Sequence, residues 1–179
     1  MQKSLRQKFC ISSGIIAGLL AIISIFAAAS LDPNFTWFAN YVSDLGIGSQ
    51  MIIFNYGLII SGIFGIAFAF GIHEGLKSRF SWCLTLLASV SLIGVGTFPE
   101  SHQWHFALSA AFFFFVSLAE IFVGRKFYEK NGAVGLLSIM AGIVSLFTLL
   151  IFNPFYEVIA VFIAMIWSIA VGAVILARL

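Results

Sequence analysis

From Cys10 to Leu31 the chain runs for a full helical span without one charged side chain, and five more apolar stretches of about that length follow, two of them with a single glutamate. A hydrocarbon layer about 30 Å thick takes roughly 20 apolar residues of helix to cross. The six stretches are 10–31, 51–72, 80–98, 105–124, 134–152 and 157–177. Only 9% of the 179 residues are charged, against about a quarter in soluble domains, so there is too little charge to clothe a water-facing globule of this size. The expectation is an all-α polytopic membrane protein: one bundle of six transmembrane helices, a single domain over 1–179. The linkers are short except for 32–50, which leaves no room for a separate soluble domain.

The basic residues orient the bundle. Lys3, Arg6 and Lys8 precede the first span; Lys77 and Arg79 lie between the second and third. Arg125, Lys126 and Lys130 lie between the fourth and fifth, and Arg178 follows the sixth. Six crossings put all nine on one side, which the positive-inside rule makes cytoplasmic, with both termini there. The basic start and the "AAAS" at 27–30 resemble a cleavable signal, but the apolar stretch is long for one, and a retained anchor is expected. Cys10 and Cys83 sit in apolar stretches without metal or disulfide spacing, and read as packing residues.

The opposite side carries Asp32, Asp44, Glu100, His102, His105 and Glu157 and no lysine or arginine. Trp37, Tyr41, Tyr56, Trp104 and Tyr156 lie at the same level, as an aromatic belt would. In the long loop, Asp32 can cap a helix, Pro33 suits its first turn and Gly46 can end it. Phe35, Phe38, Tyr41, Val42 and Leu45 would share one face, and Asn40 and Asp44 another. That predicts a short amphipathic helix lying in the interface.

Candidate chemistry gathers at "FPESHQWHF", where Glu100, His102 and His105 stand at the mouth of the fourth span. His102 and His105 are three apart and can share a helix face. Imidazole and carboxylate are the usual ligands of zinc and also serve as general acid and base. A divalent metal would draw on His105, His102, Asp44 and Glu100, although the spacing matches no strong motif such as H-E-x-x-H. The plain alternative is a capped helix start with interfacial histidines in water. Asn55, a turn into the second span, needs a partner for its amide if buried, most simply an interhelical hydrogen bond. Ser43 lacks a nucleophile elbow and is a candidate ligand-binding residue with Asn55 and His102. Glu120 lies a turn or so from Arg125 and Lys126, so snorkelling and local pairing are expected of it. His73 and Glu74 read as loop residues.

No charge falls at the middle of a span, and no inverted repeat is visible, which counts against a transporter. Nucleotide, redox and nucleic-acid motifs are absent. Small residues four apart (Ala160, Ala164, Ser168 and Gly172; also Gly14 and Gly18) predict close helix packing, within the chain or with another copy or membrane partner.

"SDLG" at 43–46, "FNYGLIISG" at 54–62 and "FPESHQWHFALSAAFFF" at 98–114 together resemble the domain of unknown function 998 family, small prokaryotic membrane proteins of about six helices. The matching positions are Ser43, Asp44, Gly46, Asn55, Gly57, Gly62, Pro99, Glu100 and His105. His105 fits the family's histidine position better than His102, which weakens a two-histidine site. More distantly the layout is similar to six-helix proteins of the DRAM and GPI-anchor lipid-remodelling type. The resemblance implies a prokaryotic plasma membrane and, by analogy of layout, lipids as partners. Two functions follow: a lipid-handling protein whose outer pocket uses His105 as base or ligand with Asp44 or Glu100 orienting it, or a non-enzymatic scaffold working through helix contacts. An all-acidic face suits a cationic or metal-bridged group better than a bare phosphate.

Overall fold

The computed structural model describes residues 2–129, 131–151 and 153–178. Lys130, one of the orienting cations, lies outside the described residues, as does Leu179. The described residues form six long α-helices and no strand: α1 (Gln2–Leu31), α2 (Met51–Leu76), α3 (Arg79–Thr97), α4 (His105–Tyr128), α5 (Gly132–Thr148) and α6 (Pro154–Leu176). Five of them, all but α5, are long and apolar enough to cross a membrane, so the chain is membrane-embedded. At 17 residues α5 is about 26 Å long, somewhat shorter than the others.

Helix ends are set by local chemistry. Ser78 caps α3 by accepting from the Ser81 N–H, Asn131 caps α5 and Asn153 caps α6 with Pro154 next to it. Lys77 closes α2 in the left-handed conformation, so two residues suffice to turn into α3. Each helix packs on the next and α6 returns to α1, which closes the bundle into a ring; α5 leans on α4 and only loosely on α6. Both termini lie at one end, here the terminal end; the 32–50 segment lies at the other, the loop end.

The small residues are consumed inside the ring. A Cβ at Gly18 would stand 2.6 Å from the Met165 carbonyl, and one at Gly172 would stand 3.2 Å from the Ile11 carbonyl. The α6 seam and the Gly14–Gly18 pair therefore serve α1 and its neighbours within this chain, where close backbone approach replaces the missing hydrophobic drive.

Three expectations change. His73 and Glu74, read as loop residues, lie in the last turns of α2, where Glu74 pairs with Arg6. Residues 32–50 carry one turn of 3₁₀ helix, Val42–Gly46, rather than an amphipathic helix from Asp32. The reason is competition from polar side chains. Asp32, buried, accepts from the Asn34 N–H and, across 17 residues, from the Ser49 N–H, both at 3.0 Å. Asn40 takes the Thr36 N–H, and Asp44 takes the Tyr41 N–H at 2.9 Å. Phe38 adopts a positive φ of 67°, which no helix accommodates. Val42 and Leu45 still pack into the core. Asp32→Ala leaves two N–H groups without acceptors and is expected to cost about 1–2 kcal/mol, read as a lower thermal midpoint; an unchanged midpoint would deny the clamp.

Glu120 does not snorkel. It is fully buried between α4 and α5, beside the Ser145 hydroxyl but not in hydrogen-bond geometry with it, and both carboxyl oxygens lack a partner. Arg125 points outward and Lys126 pairs with Glu129 at 3.5 Å. Five residues of helix turn Glu120 about 140° away from Arg125, so pairing would require the side chain to wrap around its own helix.

Candidate functional site

At the loop end a vestibule of about 460 Å³ opens between the start of α4, the side chains of Leu149, Ile151 and Asn153 and the first turns of α6. Below it, inside the ring, lies a second cavity of about 120 Å³ bounded by α1, α2, α3, α4 and α6. Ser43, Ser109, Phe113 and Glu157 border both, so the two spaces adjoin. The inner cavity is apolar. Three of its lining hydroxyls turn back on their own helices: Thr85 bonds the Ser81 carbonyl at 2.9 Å, Ser89 that of Thr85 at 2.8 Å, and Ser168 that of Met165 at 2.9 Å; that of Ser61 is buried without a partner. Phe68 and Trp167, ring centres 6.3 Å apart, stand at its deep end.

The vestibule is acidic. Glu157 accepts from the Val42 N–H at 2.6 Å, with Ser43 beside it, which ties the 3₁₀ turn to α6. Glu100 lies beside Asp44, one acidic side chain against another. Glu100 is exposed at the mouth, and the partial shielding of its carboxyl from water pushes it up to about 7; the neighbouring Asp44 and Glu157 push the same way. Among the residues bordering the vestibule there is no lysine or arginine.

His105 is 7% exposed, and both ring nitrogens are engaged. Nδ1 lies 2.8 Å from the Phe98 carbonyl and Nε2 lies 3.2 Å from Ser109 Oγ. A carbonyl only accepts, so Nδ1 carries the hydrogen and Nε2 presents its lone pair to the Ser109 hydroxyl. His102 is exposed; its Nδ1 accepts from the Trp104 N–H at 3.2 Å and its ring rests on Phe98. Asn55 donates to the Gly46 carbonyl at 2.9 Å, which ties α2 to the 3₁₀ turn.

The vestibule thus brings together Glu100, His102, His105 and Ser43 from the sequence-derived set. Asp44 joins them through Glu100 rather than by bonding His105. Asn55 stands aside, beneath the loop. Among the described residues no three His, Cys, Asp or Glu side chains gather as a set that could hold a metal ion. With both His105 nitrogens occupied, the residues present do not make a zinc site. Sequence reasoning passed over Ser109 and gave Glu157 no role. The signals were present: Ser109 follows His105 by four, one helical turn, and Glu157 is the one acidic residue of the last span.

The motifs of the first four spans and this arrangement lie within residues 15–174, which match the family model described as "Protein of unknown function (DUF998)". The chain belongs to the DUF998 family. No curated protein and no solved structure matches it. The DUF998 match takes in the 3₁₀ turn, the vestibule and the inner cavity together.

Proposed function

We propose that this DUF998 protein binds a single-chain lipid amphiphile, with the hydrocarbon in the inner cavity and a cationic head in the vestibule. The observation that carries this reading is the junction of an apolar cavity with an acidic mouth across Ser43, Ser109, Phe113 and Glu157. Each methylene taken from water contributes about 0.8 kcal/mol, and an ammonium head would offset the mutual repulsion of Glu100, Asp44 and Glu157. A phosphate head would meet Glu100 and Glu157, with Asp44 beside Glu100, and no lysine or arginine. The vestibule lies toward the loosely packed α5–α6 side, so the chain would enter sideways from the outer leaflet.

The membrane setting belongs to the same reading: six crossings with both termini cytoplasmic, in the plasma membrane of a prokaryote. The supporting observation is that all nine basic residues fall on one side of six spans. The 32–50 segment then rests at the outer interface with its aromatics. A scaffold role finds less support, because the small-residue seams that would receive a partner are covered by α1 and α6 of this chain.

Binding of dodecyltrimethylammonium and dodecylphosphate to the protein in lipid nanodiscs tests the head-group assignment. The ammonium compound is expected to bind and the phosphate to bind far more weakly; equal binding would overturn the assignment. The pH dependence is fixed in sign. The folded pKa of Glu100 lies above its ordinary value near 4.3, so its ionisation is opposed in the fold. The stability this group supplies is present at low pH and is lost as pH rises through about 7, while affinity for a fixed cation rises over the same interval. Glu100→Gln is expected to flatten both curves near pH 7; curves that keep their shape would exclude Glu100 as the titrating group.

A further inference from the structure

We propose that Ser109 and His105 are the nucleophile and general base of an acyl-transfer site at the junction of vestibule and cavity. The substrate class is an ester joining one fatty-acyl chain to an alcohol that bears a cationic group. This rests on the amphiphile reading above and adds a reaction to it.

Three features carry the inference. The first is the relay itself. The Phe98 carbonyl, 2.8 Å from Nδ1, fixes the tautomer, and Ser109 Oγ, 3.2 Å from Nε2, is placed to give up its proton. Nucleophile, base and a group orienting the base are the parts that activate a serine, whichever fold carries them. The second is rigidity. Both side chains stand on one face of α4, and the His105 ring is buried. The third is position. Ser109 borders both spaces, with Glu100, His102 and His105 on the polar side and Phe112 and Val116 on the apolar side. An acyl chain lying in the cavity begins at its carbonyl carbon, and that carbon falls at Ser109.

The step balances without a cofactor. Ser109 Oγ forms a bond to the acyl carbon as its proton passes to His105 Nε2. The ester C–O bond breaks, and the departing alkoxide takes that proton and leaves as the cationic alcohol. Water, or a second alcohol from the vestibule, then attacks the acyl-serine with the same imidazole accepting its proton, releasing the fatty acid or a new ester. Tyr41 and Asn153 border the vestibule with uncharged donors for the oxyanion. The substrate's own cation would stand between that oxyanion and the acidic side chains.

The test uses the full chain in nanodiscs and dodecyl fluorophosphonate, in which serine attack on phosphorus expels fluoride. A single adduct mapping to Ser109 is expected. Ser109→Ala, with its thermal midpoint retained, is expected to give none, and His105→Gln to slow labelling by about 100-fold or more. Ser117→Ala removes a serine whose hydroxyl bonds the Phe113 carbonyl at 2.7 Å, outside both cavities, and is expected to label like the parent. Absence of an adduct in protein that binds dodecyltrimethylammonium, or an undiminished adduct in Ser109→Ala, would overturn the acyl-transfer proposal alone. Failure to bind dodecyltrimethylammonium at any pH would instead remove the amphiphile reading beneath it.

Discussion

Ala164→Phe is expected to abolish amphiphile binding while leaving the protein folded. Ala164 lies on α6, 7% exposed, in a small apolar cluster with Ala88 and Val116, and all three border the inner cavity. A phenyl ring there closes the space about half-way down and denies the ligand its lower methylenes. Six methylenes at about 0.8 kcal/mol each come to roughly 5 kcal/mol, or more than a thousandfold in affinity. The substitution fills a void rather than opening one, so the ligand-free protein is expected to keep or raise its thermal midpoint. Ala88→Phe attacks the same level from α3 and is expected to act alike. Retained affinity in both variants would mean that the chain does not occupy this cavity.

Glu120→Met is expected to raise stability. The carboxyl is fully buried, neither oxygen has a partner, and the Ser145 hydroxyl beside it is unpartnered too. α5 contains no titratable residue, so nothing across the seam can offer a countercharge. An unpartnered polar group of this kind costs on the order of 2–3 kcal/mol relative to an apolar side chain of similar volume. The nearby polar contacts do not depend on the carboxyl: Ser138 donates to the Glu120 backbone carbonyl at 2.7 Å and accepts from Trp167 at 2.8 Å. A higher thermal midpoint is the expected result, and a markedly lower one would show that the carboxyl has a partner that stabilises the fold.

The long apolar helices were legible because runs of helical length without charge report directly on a lack of contact with water. Their interior faces were not. In a helix apolar all round, hydropathy does not distinguish a side turned to lipid from one turned to protein. The cavity, its Phe68–Trp167 floor and the junction at Ser109 therefore left no trace beyond spacing. Glu120 was misjudged for a related reason. Its distance along the helix from Arg125 suggested pairing, while its rotation about the helix, which decides, depends on where α5 packs. The 32–50 loop failed as a helix because Asp32, Asn40 and Asp44 each found a backbone N–H that a helix would have claimed. His105 was singled out from the sequence, but with carboxylate partners; the structure gives it a backbone carbonyl and a serine.

Trp167 offers the most direct reading of whether a hydrocarbon chain reaches the bottom of the cavity. With Trp37, Trp82 and Trp104 replaced by Phe, its fluorescence is measured in nanodiscs as an alkyltrimethylammonium brominated at the chain end is added. Saturable quenching of Trp167, lost in Ala164→Phe and weaker for a chain too short to reach the floor, is the predicted result. Quenching that does not saturate and is the same in Ala164→Phe would contradict the proposal that the lipid chain lies inside the ring.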